Sequence, residues 1–281
     1  MEYITLNDGT KIPAIGFGTF MIPADGSTYT AVKEALKAGY RHIDTAAAYF
    51  NEEEVGKAIK DSGVARNEIF LTSKLWLQDY DDAKVGVERS LRKLGTNIDL
   101  YLIHQPYGNV AAAWKVLEDY KAKGDIRSIG VSNMTPTLWN TFIPQFDTMP
   151  SVNQIKYNPL YQQKDTIEAM AGHDMHIEAW GPLGQGDANV IKNPVITEIA
   201  QKYGKDNGQV ILRWEIQHGV IVLPKSTKPA RIASNLDVFD FELSGEDMAV
   251  IDALDQGVGQ PHFHDNPGVE QMLRSAFVIE D

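Results

Sequence analysis

Short apolar runs alternate with amphipathic segments along most of the chain. Each apolar run has the length of a buried strand, and each segment after it has apolar positions three or four residues apart, as in a helix with one buried face. We predict strands over residues 14–19, 42–45, 69–73, 98–103, 126–132, 151–155, 176–180 and 220–223, and helices over residues 29–38, 52–60, 82–94, 110–122, 135–142, 164–171, 194–203 and 229–236. Eight strand–helix units favour a parallel sheet that is covered by helices and closed into a (β/α)8 TIM barrel, an α/β fold.

Some segments lie outside that repeat. Residues 3–6 and 11–15 flank an Asp-Gly pair, which predicts an N-terminal β-hairpin. The apolar spacing of residues 209–218 predicts one extra helix. Ser244, with an acid three residues later, predicts the start of a second extra helix.

A doubly wound open sheet is the alternative fold. It normally carries a Gly-x-Gly-x-x-Gly turn at the start of a helix, and the glycines of residues 181–186 do not have this spacing. The tail, residues 257–281, contains two prolines and is predicted to be short and irregular. Because no linker or low-complexity run interrupts the chain, we expect one domain, residues 1–281.

Composition narrows the possible functions. The 281 residues are 43% hydrophobic and carry a formal net charge of −12. An acidic surface argues against DNA or RNA as a main partner, because phosphate binding requires a basic face. Without cysteine there are no disulfides or thiolate metal sites, and no His-Glu-x-x-His pattern is present, so we expect no metal. The first residues do not resemble a secretion signal, and no apolar run approaches the roughly 20 residues of a membrane span, which predicts a cytoplasmic protein with no membrane partner.

Four polar residues stand at or just after three consecutive predicted strands. Asp44 and Tyr49 follow the second strand, while Lys74 follows the third and His104 the fourth. Because these strand ends meet at one face of a barrel, we expect the four side chains to converge. A lysine that is held by Asp44 and directed at Tyr49 is predicted to lower the pKa of the phenol from about 10, which makes Tyr49 a proton donor. His104 could orient a carbonyl or relay the proton.

Each of the four also has a purely structural interpretation. Asp44 could cap a turn, and Tyr49 could be a core aromatic whose hydroxyl finds a partner. Lys74 could be a solvated charge, and His104 could bond a loop carbonyl. Each structural interpretation is about as probable as the catalytic one, but four such coincidences at three consecutive strand ends are improbable.

The motifs around these residues resemble those of the aldo-keto reductase superfamily. They are His-Ile-Asp-Thr-Ala-x-x-Tyr-x-Asn-Glu-x-x-Val-Gly in residues 42–56, Leu-Ile-His-x-Pro in 102–106, Gly-Val-Ser-Asn in 130–133, Asn-Gln in 153–154 and Leu-Pro-Lys-Ser in 223–226. The resemblance implies a TIM barrel that binds NADPH (NADP+) and transfers hydride to aldehydes and ketones. The run Trp-Gly-Pro-Leu-Gly-Gln-Gly in residues 180–186 resembles the bacterial 2,5-diketo-D-gluconate reductase branch.

The same resemblance implies roles for individual residues. Tyr49 would be the general acid, Asp44 and Lys74 would tune it, and His104 would orient the carbonyl. The cofactor contacts would come from Ser132, Asn133 and Gln154 to the nicotinamide carboxamide, from Trp180 under the nicotinamide ring, from Gly181, Pro182, Leu183, Gly184, Gln185 and Gly186 to the pyrophosphate, from Lys225, Ser226, Thr227 and Arg231 to the 2′-phosphate, and from Asn235 to adenine.

Some positions depart from the family pattern. Gln105 replaces a frequent Trp, and Ser234 replaces a frequent Glu or Gln near the adenosine. Phe20 and Trp76 are expected to remain as walls of the substrate pocket, beside Gln105. The short tail is not expected to select the substrate.

We therefore predict a monomeric, NADPH-dependent reductase of aldehydes, ketones or keto-sugars. Two other functions remain open. A cofactor-sensing binding subunit with this fold and weak turnover could keep the same four residues, and a tetrameric mass would favour it. An isomerase or lyase could form a Schiff base on Lys74, although the cofactor motifs would then go unexplained.

Overall fold

The computed structural model describes residues 1–257 and 259–279. Its strands are β1 (Tyr3–Thr5), β2 (Lys11–Pro13), β3 (Phe17–Gly18), β4 (His42–Asp44), β5 (Phe70–Leu75), β6 (Ile98–Ile103), β7 (Ile126–Ser132), β8 (Val152–Lys156), β9 (His176–Trp180) and β10 (Ile221–Leu223). Its helices are α1 (Ser27–Ala38), α2 (Glu52–Lys60), α3 (Ala83–Leu94), α4 (Val110–Lys123), α5 (Pro136–Phe142), α6 (Lys164–Ala169), α7 (Ala188–Ile191), α8 (Pro194–Tyr203), α9 (Asn207–Gln217), α10 (Pro229–Leu236), α11 (Gly245–Asp252) and α12 (Val269–Ala276). Within these described ranges, no helix is both long and apolar enough to cross a membrane.

Eight parallel strands form the barrel. Strands β3 to β10 lie in chain order, each hydrogen-bonded to the next. The circle closes where the chain around β3 meets β10: Ile15 and Val222 form a parallel bridge, and the Gly16 N–H donates to the Val222 carbonyl at 2.8 Å. The predicted (β/α)8 TIM barrel is therefore confirmed, as is the N-terminal hairpin, in which β1 pairs antiparallel with β2.

The hairpin closes the N-terminal end of the barrel. Leu6 and Ile12 pack in one buried cluster with Phe70, Leu102 and Ile221 from the barrel strands. Because this end is filled with apolar side chains, the opposite end, where the strands finish, is left for polar groups and a cavity.

A glycine allows two barrel helices to pack closely. A Cβ atom at Gly56 in α2 would overlap the carbonyl oxygen of Leu94 at the end of α3. Only glycine fits there. The glycine that closes the 42–56 motif therefore has a packing function.

The two predicted extra helices are α9 and α11, but the structure adds two more in the described part of the chain, α7 and α12. In α12, Val269 and Leu273 are buried four residues apart, so this helix has a buried face. The prediction of an irregular tail is wrong, because an eight-residue helix that follows a proline-containing run has too short a pattern to be recognised in the sequence.

Candidate active site

The four side chains predicted to converge do meet at the C-terminal end of the barrel. Asp44 ends β4, and Lys74 lies near the end of β5. Tyr49 closes a short 3-10 turn, and His104 directly follows β6. Lys74 Nζ donates to Asp44 Oδ1 at 2.7 Å and to Tyr49 OH at 3.1 Å. The Thr45 carbonyl accepts a third hydrogen bond from Nζ at 2.9 Å, so all three ammonium hydrogens are used.

Burial disfavours the charged form of both Lys74 and Tyr49, but Lys74 stays charged whereas Tyr49 stays neutral. Burial disfavours the Lys74 ammonium, but the charge of Asp44 and the contact with Tyr49 outweigh it, so the pKa of Lys74 is raised. Burial also raises the pKa of the Tyr49 phenol, and Lys74 counters only part of that effect. Lys74 therefore acts in the predicted direction, but the net pKa of Tyr49 is raised and not lowered, because the phenolate loses more hydration than the lysine restores.

His104 lies between two aromatic rings. Its ring centroid is 5.6 Å from that of Tyr49 and 5.0 Å from that of Trp76, both in edge-on contact. Burial, followed by the nearby positive charge of Lys74, holds the pKa of His104 well below its ordinary value. The imidazole is therefore neutral near pH 7, and a neutral ring carries one N–H donor and one acceptor nitrogen.

These side chains border a cavity of about 1500 Å³. Most of the sequence-predicted site residues line it, namely Phe20, Asp44, Tyr49, Trp76, His104, Gln105, Ser132, Asn133, Gln154, Trp180, Gly181, Pro182, Leu183, Gln185, Gly186, Lys225, Ser226, Arg231 and Asn235. Lys74, Gly184 and Thr227 are not part of the wall. Lys74 is hydrogen-bonded to two residues of the wall, Asp44 and Tyr49. A Cβ at Gly184 would lie 2.7 Å from the Val190 side chain, so this glycine allows close packing against α7.

Hydrogen bonds connect Trp180 with polar residues at the end of β7 and in the middle of β8. Trp180 Nε1 donates to Asn133 Oδ1 at 2.9 Å. Asn133 Nδ2 donates to the His104 carbonyl at 3.2 Å, and Ser132 Oγ donates to the Gln154 backbone carbonyl at 2.8 Å. The indole of Trp180 is therefore held in one orientation at the cavity wall.

The loop after Trp180 is folded by its own hydrogen bonds. The Gly184 N–H donates to the Gly181 carbonyl at 2.9 Å, and the Gly186 N–H donates to the Leu183 carbonyl at 3.4 Å. These two N–H groups are used within the loop. The predicted pyrophosphate contacts would therefore have to come from the N–H groups of the other loop residues.

The cations that follow β10 are exposed. Lys225 and Arg231 line the cavity, and neither has an ion-pair partner in the described part of the chain. Ser226 is buried, and its Oγ accepts a hydrogen bond from the Lys228 N–H at 3.1 Å, which shapes the start of α10. Thr227 is exposed outside the cavity wall.

The tail folds back over the cavity. Trp76 Nε1 donates to the Phe277 carbonyl at 2.8 Å, and the two rings lie 5.5 Å apart. Nearer the start of the tail, His262 contacts Asp165 at 2.7 Å. Phe277 and His262 both line the cavity. The tail is therefore part of the cavity wall, and its expected lack of a role in substrate selection stays a prediction.

Sequence reasoning missed two buried polar residues behind the cavity, Glu178 and His42. Glu178 lies in the middle of β9, and its Oε2 accepts a hydrogen bond from Gln154 Nε2 at 2.7 Å. His42 Nε2 lies 2.9 Å from Thr72 Oγ1 and 3.7 Å from Glu178 Oε1. The sequence did contain one signal for this site, because Glu178 stands within a predicted apolar strand. A buried carboxyl is unfavourable unless it is hydrogen-bonded, so such an acid should have a partner.

Both groups are uncharged near pH 7. Burial, followed by the charge of Asp44, raises the pKa of Glu178 to about 8. Burial, followed by the charge of Lys74, lowers the pKa of His42 to about 3. The contact between His42 and Glu178 is therefore not an ion pair.

Known proteins resemble this chain over most of its length. The Aldo/keto reductase family profile matches residues 14–256. An aldo-keto reductase of Mycolicibacterium smegmatis is 49% identical over 260 residues, which cover 90% of this chain and 94% of the relative. The glyoxal reductase of Bacillus subtilis is 45% identical over 264 residues, which cover 92% and 95%. The methylglyoxal reductase DkgA of Escherichia coli is 42% identical over 258 residues, which cover 90% and 94%.

A solved structure agrees with the fold. The crystal structure of an aldo/keto reductase from Brucella melitensis matches with a TM-score of 0.85 and 45% sequence identity, covering 90% of this chain and 99% of that chain. The family match also includes the strand ends that carry Asp44, Lys74 and His104. The chain therefore belongs to the aldo/keto reductase family of oxidoreductases.

Proposed function

We propose that the protein is an NADPH-dependent carbonyl reductase of the 2,5-diketo-D-gluconate reductase type, with Tyr49 as the proton donor. The observation that carries this proposal is the position of Lys74 Nζ, which is 2.7 Å from Asp44 and 3.1 Å from the Tyr49 hydroxyl. A fixed positive charge next to a phenol that lines a cavity is suited to proton donation.

Reduction of a carbonyl needs a hydride on carbon and a proton on oxygen. Bound NADPH supplies the hydride from nicotinamide C4. Tyr49 gives its hydroxyl proton to the oxygen as negative charge develops there, and the Lys74 ammonium stabilises the phenolate that remains. Asp44 keeps Lys74 protonated and oriented. The neutral His104 ring donates a hydrogen bond to the carbonyl oxygen.

The raised pKa of Tyr49 is consistent with a proton donor. The phenol has to carry its proton at the start of each reduction, and burial keeps the proton in place through neutral pH. We expect the activity to persist through neutral pH and to fall only above the ordinary tyrosine pKa of 10.0. Lys74 then contributes after the proton has left Tyr49, because its positive charge lowers the energy of the phenolate that remains.

The cavity wall has groups that suit NADPH. Trp180 supplies a flat ring, and the exposed Lys225 and Arg231 supply two positive charges for a 2′-phosphate, which favours NADPH over NADH. Of the acids that line the cavity, Asp206 is the one bonded to α10, because it accepts a hydrogen bond from Ser234 Oγ at 2.7 Å. The two cations therefore exceed the acid in this part of the wall.

The substrate proposal combines the relatives with the wall of the cavity. Similar proteins are named as glyoxal and methylglyoxal reductases. Around Tyr49 the wall offers the aromatic rings of Phe20 and Trp76 and the amide of Gln105. A small dicarbonyl or keto-sugar can place one carbonyl at Tyr49 and direct its second polar group to the amide.

The test is NADPH oxidation with methylglyoxal by the wild type and by Tyr49→Phe. Removing the hydroxyl should lower kcat by about 10²- to 10⁴-fold. Tyr120→Phe is the matched control, because it removes a phenol that contacts Glu88 at 3.1 Å outside the cavity wall, and it should keep the wild-type rate. Equal rates for Tyr49→Phe and the wild type would exclude Tyr49 as the donor. A wild type that oxidises NADPH with no carbonyl in a panel of dicarbonyls and keto-sugars would exclude the reductase itself.

The hydrogen bonds of Lys74 count against a Schiff-base enzyme. A lysine forms a Schiff base through the lone pair of its neutral amine. The raised pKa of Lys74 and its three acceptors keep the group an ammonium. Borohydride trapping of methylglyoxal on Lys74 would reverse this conclusion.

A further inference from the structure

Gln154 is held between two carboxyl groups. Its Nε2 donates to Asp44 Oδ2 at 2.9 Å and to Glu178 Oε2 at 2.7 Å, and all three residues are buried. An amide nitrogen carries two hydrogens, and both are used here. The polar atom that remains is the carbonyl Oε1, on a side chain that lines the cavity.

The neighbouring amide oxygen, Asn133 Oδ1, already has a donor on one of its two lone pairs. Asn133 Oδ1 accepts a hydrogen bond from Trp180 Nε1 at 2.9 Å. No donor among the described residues occupies Gln154 Oε1. A carboxamide that enters this part of the cavity brings an NH2 group, which needs an acceptor. Of the two amides, Gln154 is the one whose carbonyl oxygen has no donor in the described part of the chain.

Glu178 lies directly behind Gln154. It pairs with Gln154 across β8 and β9, and it lies two residues before Trp180 on the same face of β9. Its second oxygen, Oε1, is buried without a hydrogen-bond partner, 3.7 Å from His42 Nε2. Glu178 therefore acts on the site through its hydrogen bond with Gln154.

We propose that Glu178 is a positioning residue for the nicotinamide end of the cofactor, because it fixes the Gln154 amide with Oε1 directed to the carboxamide NH2 group. The inference rests on the proposed function, since it requires a nicotinamide in the cavity. Asp44 on β4 satisfies only one N–H of Gln154. A second acceptor on β9 fixes the plane of the amide and prevents it from presenting an N–H to the cavity.

The test compares the affinity for NADP+ with that for 2′-phospho-ADP-ribose, which lacks the nicotinamide. Titration calorimetry reports the binding of both ligands without turnover. Glu178→Met keeps the length of the side chain but removes the acceptor, whereas Glu178→Asp keeps an acid but withdraws it from Gln154. Both variants should bind NADP+ about ten-fold more weakly and 2′-phospho-ADP-ribose as the wild type does. Glu178→Gln keeps an acceptor oxygen and should stay within about three-fold of the wild type.

Glu215→Met is the matched control. Glu215 on α9 is as buried as Glu178, neither of its carboxyl oxygens has a hydrogen-bond partner, and it does not line the cavity. We expect this variant to bind both ligands as the wild type does.

A double-variant cycle tests whether Glu178 acts through Gln154. In a Gln154→Met background, Glu178→Met should cause no further loss of NADP+ affinity, because the amide to be positioned is gone. A further loss equal to that of the single variant would overturn the proposed role.

Other results would also overturn it. Unchanged NADP+ affinity in both Glu178→Met and Glu178→Asp would show that the amide does not need this acid. Equal weakening of both ligands would indicate a general packing role. A wild type that binds neither ligand would overturn the proposed function itself, and with it the inference.

Discussion

Two parts of the cavity wall differ in how their charges are held. Beside Tyr49, Asp44 and Lys74 are buried and bonded to each other, and Lys74 has three acceptors, one of which is the Tyr49 hydroxyl. After β10, Lys225 and Arg231 are exposed and have no ion-pair partner in the described part of the chain. Hydrogen bonds within the folded chain therefore fix the position of Lys74, whereas Lys225 and Arg231 have no anionic partner until a ligand binds.

The difference has an energetic reason. Buried charges interact strongly and need no reorganisation during a reaction, which suits proton transfer. Exposed cations interact weakly one by one and lose side-chain entropy when they bind, but they attract an anion from solution. Changes in the buried part should therefore alter both rate and stability, and changes in the exposed part should alter affinity alone.

Lys74→Met should have the largest effect, because it leaves Asp44 buried without its cation. We expect the unfolding free energy to fall by about 3–5 kcal/mol in urea unfolding. We also expect kcat with methylglyoxal to fall by about 10²- to 10⁴-fold. Lys121→Met is the control, since it removes a partly exposed contact with Asp8 at 2.6 Å and should cost at most about 1 kcal/mol. If Lys74→Met were as stable as the wild type, the buried ion pair would not contribute to stability, and the contrast with the exposed cations would be wrong.

Replacing both Lys225 and Arg231 with Ala tests the exposed side. Loss of two charged contacts to the 2′-phosphate should weaken NADPH binding by about 30-fold. NADH binding and the unfolding free energy should stay at wild-type values. Lys228→Ala is the control, because Lys228 is an exposed cation of the same segment that does not line the cavity. An equal loss of NADH and NADPH affinity would contradict a 2′-phosphate site.

Glu178→Gln tests whether ionisation of the buried Glu178 destabilises the wild-type protein as the pH rises. The carboxyl has a pKa of about 8 in the folded protein and 4.5 as its ordinary value, so its contribution to stability is complete below pH 4.5 and is lost as the pH rises to 8. His42 is present in both proteins, so its own titration in the unfolded chain around pH 6.5 cancels in the difference. At about 1.36 kcal/mol per pH unit, the stability of Glu178→Gln relative to the wild type should rise by about 2 kcal/mol between pH 6.5 and 8.

Urea unfolding at several pH values measures this difference. Arg231→Ala, in the exposed part, should keep a constant difference from the wild type over the same range. A constant difference for Glu178→Gln as well would mean that Glu178 is already ionised at pH 6.5.

Phe50→Gly should have the smallest effect. Phe50 is half exposed beside Tyr49, with a left-handed φ of 58°, a conformation that disfavours any residue with a Cβ. Glycine removes this strain but gains entropy when unfolded, so the unfolding free energy should change by less than about 1 kcal/mol. Phe50→Ile should destabilise the protein by about 1–2 kcal/mol, because a β-branched residue tolerates this conformation poorly. Because the bond from Lys74 holds the Tyr49 hydroxyl in place, kcat with methylglyoxal for Phe50→Gly should stay near the wild-type value. A large loss of kcat would show that the loop also positions Tyr49.

Much of the molecule could be predicted because its signals are local. The alternation of apolar runs with amphipathic segments predicts the barrel, and the positions of Asp44, Lys74 and His104 at strand ends follow from that pattern alone. The tail helix α12 could not be predicted, since its buried face depends on the barrel it covers. Glu178 was missed because a strand acid has no assigned partner until β8 and β9 are paired.

The sequence by itself determined the fold, the family and the residues that gather at one end of the barrel, because each depends on residue types at fixed spacing along the chain. Only the tertiary structure decided the ionisation of those residues. The pKa of Tyr49 rises because of burial, and Lys74 cannot reverse it, which no motif reveals. The tertiary structure also decided that Gln154 has both N–H groups bound by acids on β4 and β9. Desolvation and hydrogen-bond geometry depend on every group around an atom, and those groups come together only when distant strands pair.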